Sequence, residues 1–136
     1  MKKVLILIVA AFMSLQAASA NYEKGYKEAL AAAAKSGKPI MVVVSSHSCY
    51  YCDLFNSATL SKELVIKALN RDYVSTIVYP DEGEYVPQGL LTGATPTIWF
   101  LMPDGEPMLD PIMGAVDENE FIKILAIIHQ AYQEVR

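Results

Sequence analysis

Ile40-Met41-Val42-Val43-Val44-Ser45-Ser46-His47-Ser48-Cys49-Tyr50-Tyr51-Cys52 is the most telling stretch of this 136-residue chain. Its apolar opening reads as a central strand buried on both faces. The C-x-x-C that follows holds both cysteines of the sequence. A C-x-x-C at the end of a buried strand, entering a helix, is the arrangement of a dithiol/disulfide redox centre. The helix N-terminus carries partial positive charge, which favours thiolate over thiol and lowers the pKa of the first cysteine. Two intervening residues let the second sulfur fold back within bonding reach. Cys49 is therefore the expected nucleophile, and Cys52 the residue that resolves the mixed disulfide. A loop this small gives little entropic stabilisation, so the pair reads as redox chemistry rather than a structural staple.

Upstream, Tyr22 to Lys35 is rich in Ala, Leu, Glu and Lys and predicts a helix. Gly37 is placed to cap it and Pro39 to stop it. Downstream, a helical region extends to about Asn70, with an interruption near Ala58-Thr59 and an apolar stripe of Leu60, Leu64, Val65, Ala68 and Leu69. Tyr73 to Tyr79 is a second strand, parallel to the first because a helix crosses between them. Pro80 to Gly93, broken by prolines and glycines, is a long loop with one short helical turn near Gln88 to Leu91. Thr97 to Leu101 is a third strand. Asp104-Gly105 is a hairpin signal that makes Pro107 to Met113 a fourth strand, antiparallel to the third. Asp117 and Glu120 form a capping box for a last helix to about Val135.

The amino terminus places the chemistry. Lys2 and Lys3 precede an apolar core from Val4 to Leu15, and Ala18-Ser19-Ala20 offers a cleavage signature. Residues 1–20 are read as a signal peptide, too short in its core to span a bilayer. Residues 21–136 are then one domain in the periplasm. No cysteine near the cut invites a lipid anchor. Without Lys2 and Lys3, nine basic residues face fifteen acidic ones, a charge of −6. That balance offers no footprint for nucleic acid or an anionic membrane.

The order of elements, with Gly93-Ala94-Thr95-Pro96-Thr97, Asp104-Gly105 and Gly114, resembles the thioredoxin fold over the whole mature chain. The implied architecture is α/β, a mixed central sheet of four or five strands flanked by helices. Ser36-Gly37-Lys38-Pro39-Ile40 and Gly114-Ala115-Val116-Asp117 with Phe121 are similar to the periplasmic thioredoxin-like branch that includes the C-terminal domain of DsbD. The resemblance implies that Pro96 is a cis proline beside the dithiol and that the backbone of Thr95 pairs with an extended substrate. It also implies protein thiol/disulfide clients and a membrane electron donor or acceptor. No cofactor is implied, and the chain is expected to be a monomer.

Departures from the family pattern bear on the direction of electron flow. Ser48 stands where a tryptophan is usual, and Val43 where a buried aspartate assists proton transfer from the second cysteine. Loss of that acid favours a lower pKa at Cys49. His47, two residues upstream, is a candidate thiolate stabiliser. A thiol–disulfide oxidoreductase with a lean to the reducing direction is the leading expectation, with a disulfide oxidase or isomerase as the alternative. His47-x-Cys49-x-x-Cys52 also offers three ligands for copper or zinc, but no fourth is evident, and Asp53 stands where a c-type haem needs histidine.

Overall fold

Ile40–Val44 (β2) forms the middle of a sheet because every one of its side chains is apolar and buried. The computed structural model describes residues 19–136, so of the expected signal segment only Ser19 and Ala20 fall within the described residues. Five strands run in the order β1-β3-β2-β4-β5. These are Tyr22–Glu23 (β1), Ile40–Val44 (β2), Val74–Val78 (β3), Thr97–Leu101 (β4) and Ile112–Met113 (β5). β3 runs parallel to β2, with Val43 opposite Ile77, while β4 runs antiparallel on its other side, with Val43 opposite Ile98.

The helices are Tyr26–Ser36 (α1), Tyr50–Phe55 (α2), Glu63–Asp72 (α3) and Glu118–Val135 (α4). Side chains of a strand alternate between faces, so β2 feeds two cores. Met41 and Val43 join Phe55, Val65, Leu69, Phe100, Phe121 and Leu125 on one face. Ile40, Val42 and Val44 join Ala29, Ala33, Trp99 and Leu101 on the other. Ala29 and Ala33, four apart on α1, are fully buried, which lets that helix lie close to the sheet. Gly37 ends α1 in the left-handed conformation (φ 67°), its N–H donated to Ala33 O, as a C-terminal glycine cap does. Asp117 caps α4 by accepting from the N–H of Glu120 at 3.1 Å.

Three expectations are corrected. Tyr22–Glu23, read as the first turn of the helix, is a strand paired with Ser75 and Thr76. It supplies the fifth strand. The stripe on α3 runs through Val65, Ile66 and Leu69, whereas Leu64 is exposed. The fourth strand shrinks from Pro107–Met113 to Ile112–Met113, preceded by a single bridge between Pro107 and Leu101. Pro107 and Pro111 have no N–H to give to a ladder, which confines regular pairing to the end of the segment.

The interruption after α2 is a π-helical turn over Asn56–Leu60. There Thr59 turns inward and donates its hydroxyl to Val116 O, tying the redox helix to the approach of α4. The long loop contains two 3-10 turns, Pro80–Glu82 and Gln88–Leu90. Trp99 Nε1–H donates to Leu90 O at 2.9 Å and so fixes the second of them to β4.

Candidate active site

Cys49 is the N-cap residue of α2, with an extended backbone (φ −135°, ψ 107°) that ends the strand-side segment and starts the helix. Its Sγ accepts from the N–H of Cys52 at 3.2 Å. An N-cap side chain that satisfies a free N–H of the first turn is what that position requires; here the acceptor is the reactive sulfur. Cys49 and Cys52 are joined as a disulfide, with Cα atoms 5.2 Å apart. Cys49 is partly exposed while Cys52 is only 2% exposed. Only one sulfur is therefore open to a partner as large as another protein.

Thr95 meets the same sulfur from the β4 side. Its hydroxyl donates to Cys49 Sγ at 3.3 Å, and its carbonyl oxygen lies 3.4 Å from that sulfur. The Thr95–Pro96 peptide is cis. The loop before it is closed by its own threonines. Thr97 Oγ1 donates to Ala94 O at 2.7 Å, and Thr92 Oγ1 accepts from the N–H of Ala94 at 3.3 Å. Gly93 turns between them at φ +79°, a conformation that a side chain would strain. Gly114 N–H donates to Pro96 O at 2.8 Å, which joins the loop to the end of β5. Thr95 is thus presented by a braced loop.

His47 lies differently from the sequence expectation. Its Nε2 is 2.8 Å from Glu82 Oε1, and its ring stacks on Tyr79 with centroids 4.2 Å apart. The partners of the ring are Glu82 and Tyr79, with no contact to Cys49 among them. The His47 N–H donates to Asp81 Oδ2 at 3.0 Å, and the Ser46 hydroxyl to the same oxygen at 3.2 Å. Asp81 is held below the usual aspartate range, first by that backbone N–H and further by the serine hydroxyl. Tyr79, Asp81 and Glu82 escaped the sequence reading, because nothing within the loop itself marks them as neighbours of a segment more than thirty residues upstream.

Val43, where the resemblance implies a buried acid, is 1% exposed and lies in the apolar core with Met41 and Phe55. Around the mouth of the site, Tyr50 (74%), Tyr51 (59%) and Met113 (62%) are largely exposed. A large exposed apolar surface beside a reactive sulfur suits contact with another protein. Among the described residues, no cluster of three or more His, Cys, Asp or Glu is arranged to hold a metal ion.

Chemically, the arrangement supports thiolate attack. Reduction would leave Cys49 with two neutral donors, the Cys52 N–H and the Thr95 hydroxyl, at the start of a helix. Each favours the charged form.

Comparison with known proteins agrees with the geometry. Residues 26–128 match the family model of the thioredoxin-like domain. No curated protein matches the chain. Among solved structures, a thioredoxin from Thermus thermophilus shares 30% identity, with 82% of this chain and 87% of that one covered and a TM-score of 0.65. The DsbH oxidoreductase is similar in fold at 15% identity, covering 91% of this chain and 98% of its own, with a TM-score of 0.63. The oxidised C-terminal domain of Neisseria meningitidis DsbD is similar in fold at 22% identity, covering 76% and 96%, with a TM-score of 0.53.

Proposed function

The chain belongs to the thioredoxin-like family and is a thiol–disulfide oxidoreductase, and from that premise we propose that it is exported to the periplasm and there, as a monomer, reduces disulfides of protein clients. The observation that carries the reading is the unequal exposure of the two sulfurs, Cys49 open at the mouth and Cys52 buried behind it. In the reduced protein the Cys49 thiolate attacks one sulfur of a client disulfide. A mixed disulfide forms, and the other client sulfur leaves as a thiolate that takes a proton. Cys52, losing its proton, then attacks Cys49 Sγ. The Cys49–Cys52 disulfide forms, and the client departs with both sulfurs as thiols. Two electrons have passed to the client, and a dithiol partner at the membrane restores them to Cys49 and Cys52.

The reducing direction draws support from the 30% identity to a thioredoxin. Export draws support from the charged, apolar and small-residue sections of residues 1–20. A second reading, oxidase or isomerase, has one specific observation in its favour. The Thr95 hydroxyl on Cys49 stabilises the thiolate, and hence the reduced form, which raises the potential. The reduction potential of the Cys49–Cys52 pair, measured in thiol buffers, separates the two. A value near −270 mV, as for thioredoxin, fits the reductant, and one from about −180 to −120 mV fits the oxidase or isomerase. Localisation of the full-length chain, with the size of the mature protein, tests export.

A further inference from the structure

Two residues before Cys49 the chain is fastened to an element for which the exchange chemistry has no use. The Pro80–Glu82 turn follows β3 and closes on itself. Glu82 N–H donates to Tyr79 O and Gly83 N–H to Pro80 O, each at 3.0 Å. The N–H of Tyr79 donates to Glu84 Oε2 at 2.9 Å. From this turn, one oxygen of Asp81 holds the Ser46 hydroxyl and the His47 N–H. Glu82 pairs with the His47 ring, which lies on Tyr79 with planes 4° apart. The backbone pairing of β2 with β3 continues one step past the strand, from Ser45 N–H to Val78 O at 2.9 Å. Beyond that point side chains of the turn take over.

We propose that the Pro80–Glu82 turn is a positioning latch for the redox turn, in which Asp81 fixes the Ser46–His47 segment so that Cys49 Sγ meets its donors, and Glu82 pairs with the His47 ring. The latch rests on the reading of Cys49 and Cys52 as a redox pair. Its first half is geometric. The two donors of Cys49 stand at 3.2 and 3.3 Å, and such bonds weaken steeply as the angle degrades. A segment held at two consecutive residues keeps that alignment; a loose one loses it. Its second half is electrostatic. When the His47 ring is protonated, Glu82 at 2.8 Å balances its charge. Without Glu82 an imidazolium on the redox segment would favour the Cys49 thiolate, and without His47 a carboxylate there would disfavour it. The other titratable groups on the segments around Cys49 are Asp81 on the turn and Glu84 just after it, Tyr79 beneath the ring, and Tyr50, Tyr51, Asp53 and, once reduced, Cys52 on α2. The Gly93–Thr97 loop and the Gly114–Val116 segment bring none.

The latch is tested by the pH profile of Cys49 alkylation in the reduced protein, recorded alongside thermal stability. Asp81→Ala should move the profile up by about one pH unit, a tenfold loss of thiolate at a given pH. Asp81→Asn, which keeps an acceptor oxygen, should restore it to within about 0.3 unit. Glu82→Gln should move the profile down and His47→Gln up, with the double variant back at the wild-type position. Should Asp81→Ala lower the yield of folded protein, the two exposed substitutions carry the same test. Superimposable profiles in all variants, whatever happens to the melting temperature, would overturn the latch. The wild-type reduction potential judges the redox reading separately, because the alkylation profiles are read on thiols and do not depend on it.

Discussion

Cys49 stands between two loops that treat it differently. The Gly93–Thr97 loop touches the sulfur and carries no charge, since Thr95 offers a hydroxyl at 3.3 Å. The Pro80–Glu82 turn is charged and reaches the redox segment through Ser46 and His47 rather than through the sulfur. One side addresses the reacting atom, and the other addresses the backbone that carries it. Neutral donors in contact can stabilise a thiolate strongly over a short range. Charges already occupied with one another contribute position instead. The division leaves the reacting sulfur with neutral donors while the segment that carries it is fixed from the other side.

The coarsest way to break this comparison is to remove the sulfurs. Cys49→Ser should abolish disulfide exchange, because the exposed sulfur of the cysteine pair is gone. Cys52→Ser should leave the first attack intact and accumulate mixed disulfides with clients, visible as adducts on non-reducing gels and cleared by dithiothreitol. Equal loss in both variants with no adducts would mean that the exposure of Cys49 does not decide which sulfur attacks.

The next largest effect separates the two loops. Thr95→Val keeps the branched shape and removes the hydroxyl. A hydrogen bond to a charged group is worth about 1.5–3 kcal/mol, and somewhat less with sulfur as acceptor. The Cys49 profile should therefore rise by about one pH unit, and the reduction potential should fall by up to about 30 mV, the equivalent of a tenfold change. If Thr95→Val leaves both unchanged while Asp81→Ala shifts them, the contact loop is passive and the roles drawn here are reversed.

Legibility in the sequence followed the range of the interactions. The apolar run Ile40–Val44, the Gly37 cap and the cap at Asp117 depend on neighbours a few residues away, and all three stand as read. β1 was misread because two residues carry no period of their own. Tyr22 and Glu23 are a strand only because Ser75 and Thr76 lie beside them, some fifty positions later. On α3, Leu64 and Ile66 both fit a helical stripe, and the fold buries Ile66 and leaves Leu64 exposed. The site divides in the same way. Cys49 and Cys52 announce themselves by spacing, and Thr95 by the proline after it. The contacts of Asp81 and Glu82 span more than thirty residues, and only the pairing of β2 with β3 brings them to His47.

The smallest expected effect asks whether the charge of Asp81 matters or only its shape. The folded state holds the Asp81 carboxyl below its ordinary range, chiefly through the His47 N–H, with the Ser46 hydroxyl adding to it. A carboxyl whose folded pKa is depressed contributes stability that is present above its unfolded value, about 3.9, and is lost as pH falls through the folded one. Asp81→Asn should therefore melt slightly below the wild type at pH 7, the gap should hold down to about pH 5, and it should close below about pH 3.9 as the wild-type carboxyl takes up its proton. Asp81 is exposed, so solvent screens the interaction and added salt should narrow the gap further. A gap that persists undiminished at pH 2 would mean that the two donors are held as well by a neutral oxygen as by a charged one. The turn would then position Cys49 by geometry alone, and only the pairing of Glu82 with His47 would remain as the electrostatic half of the comparison.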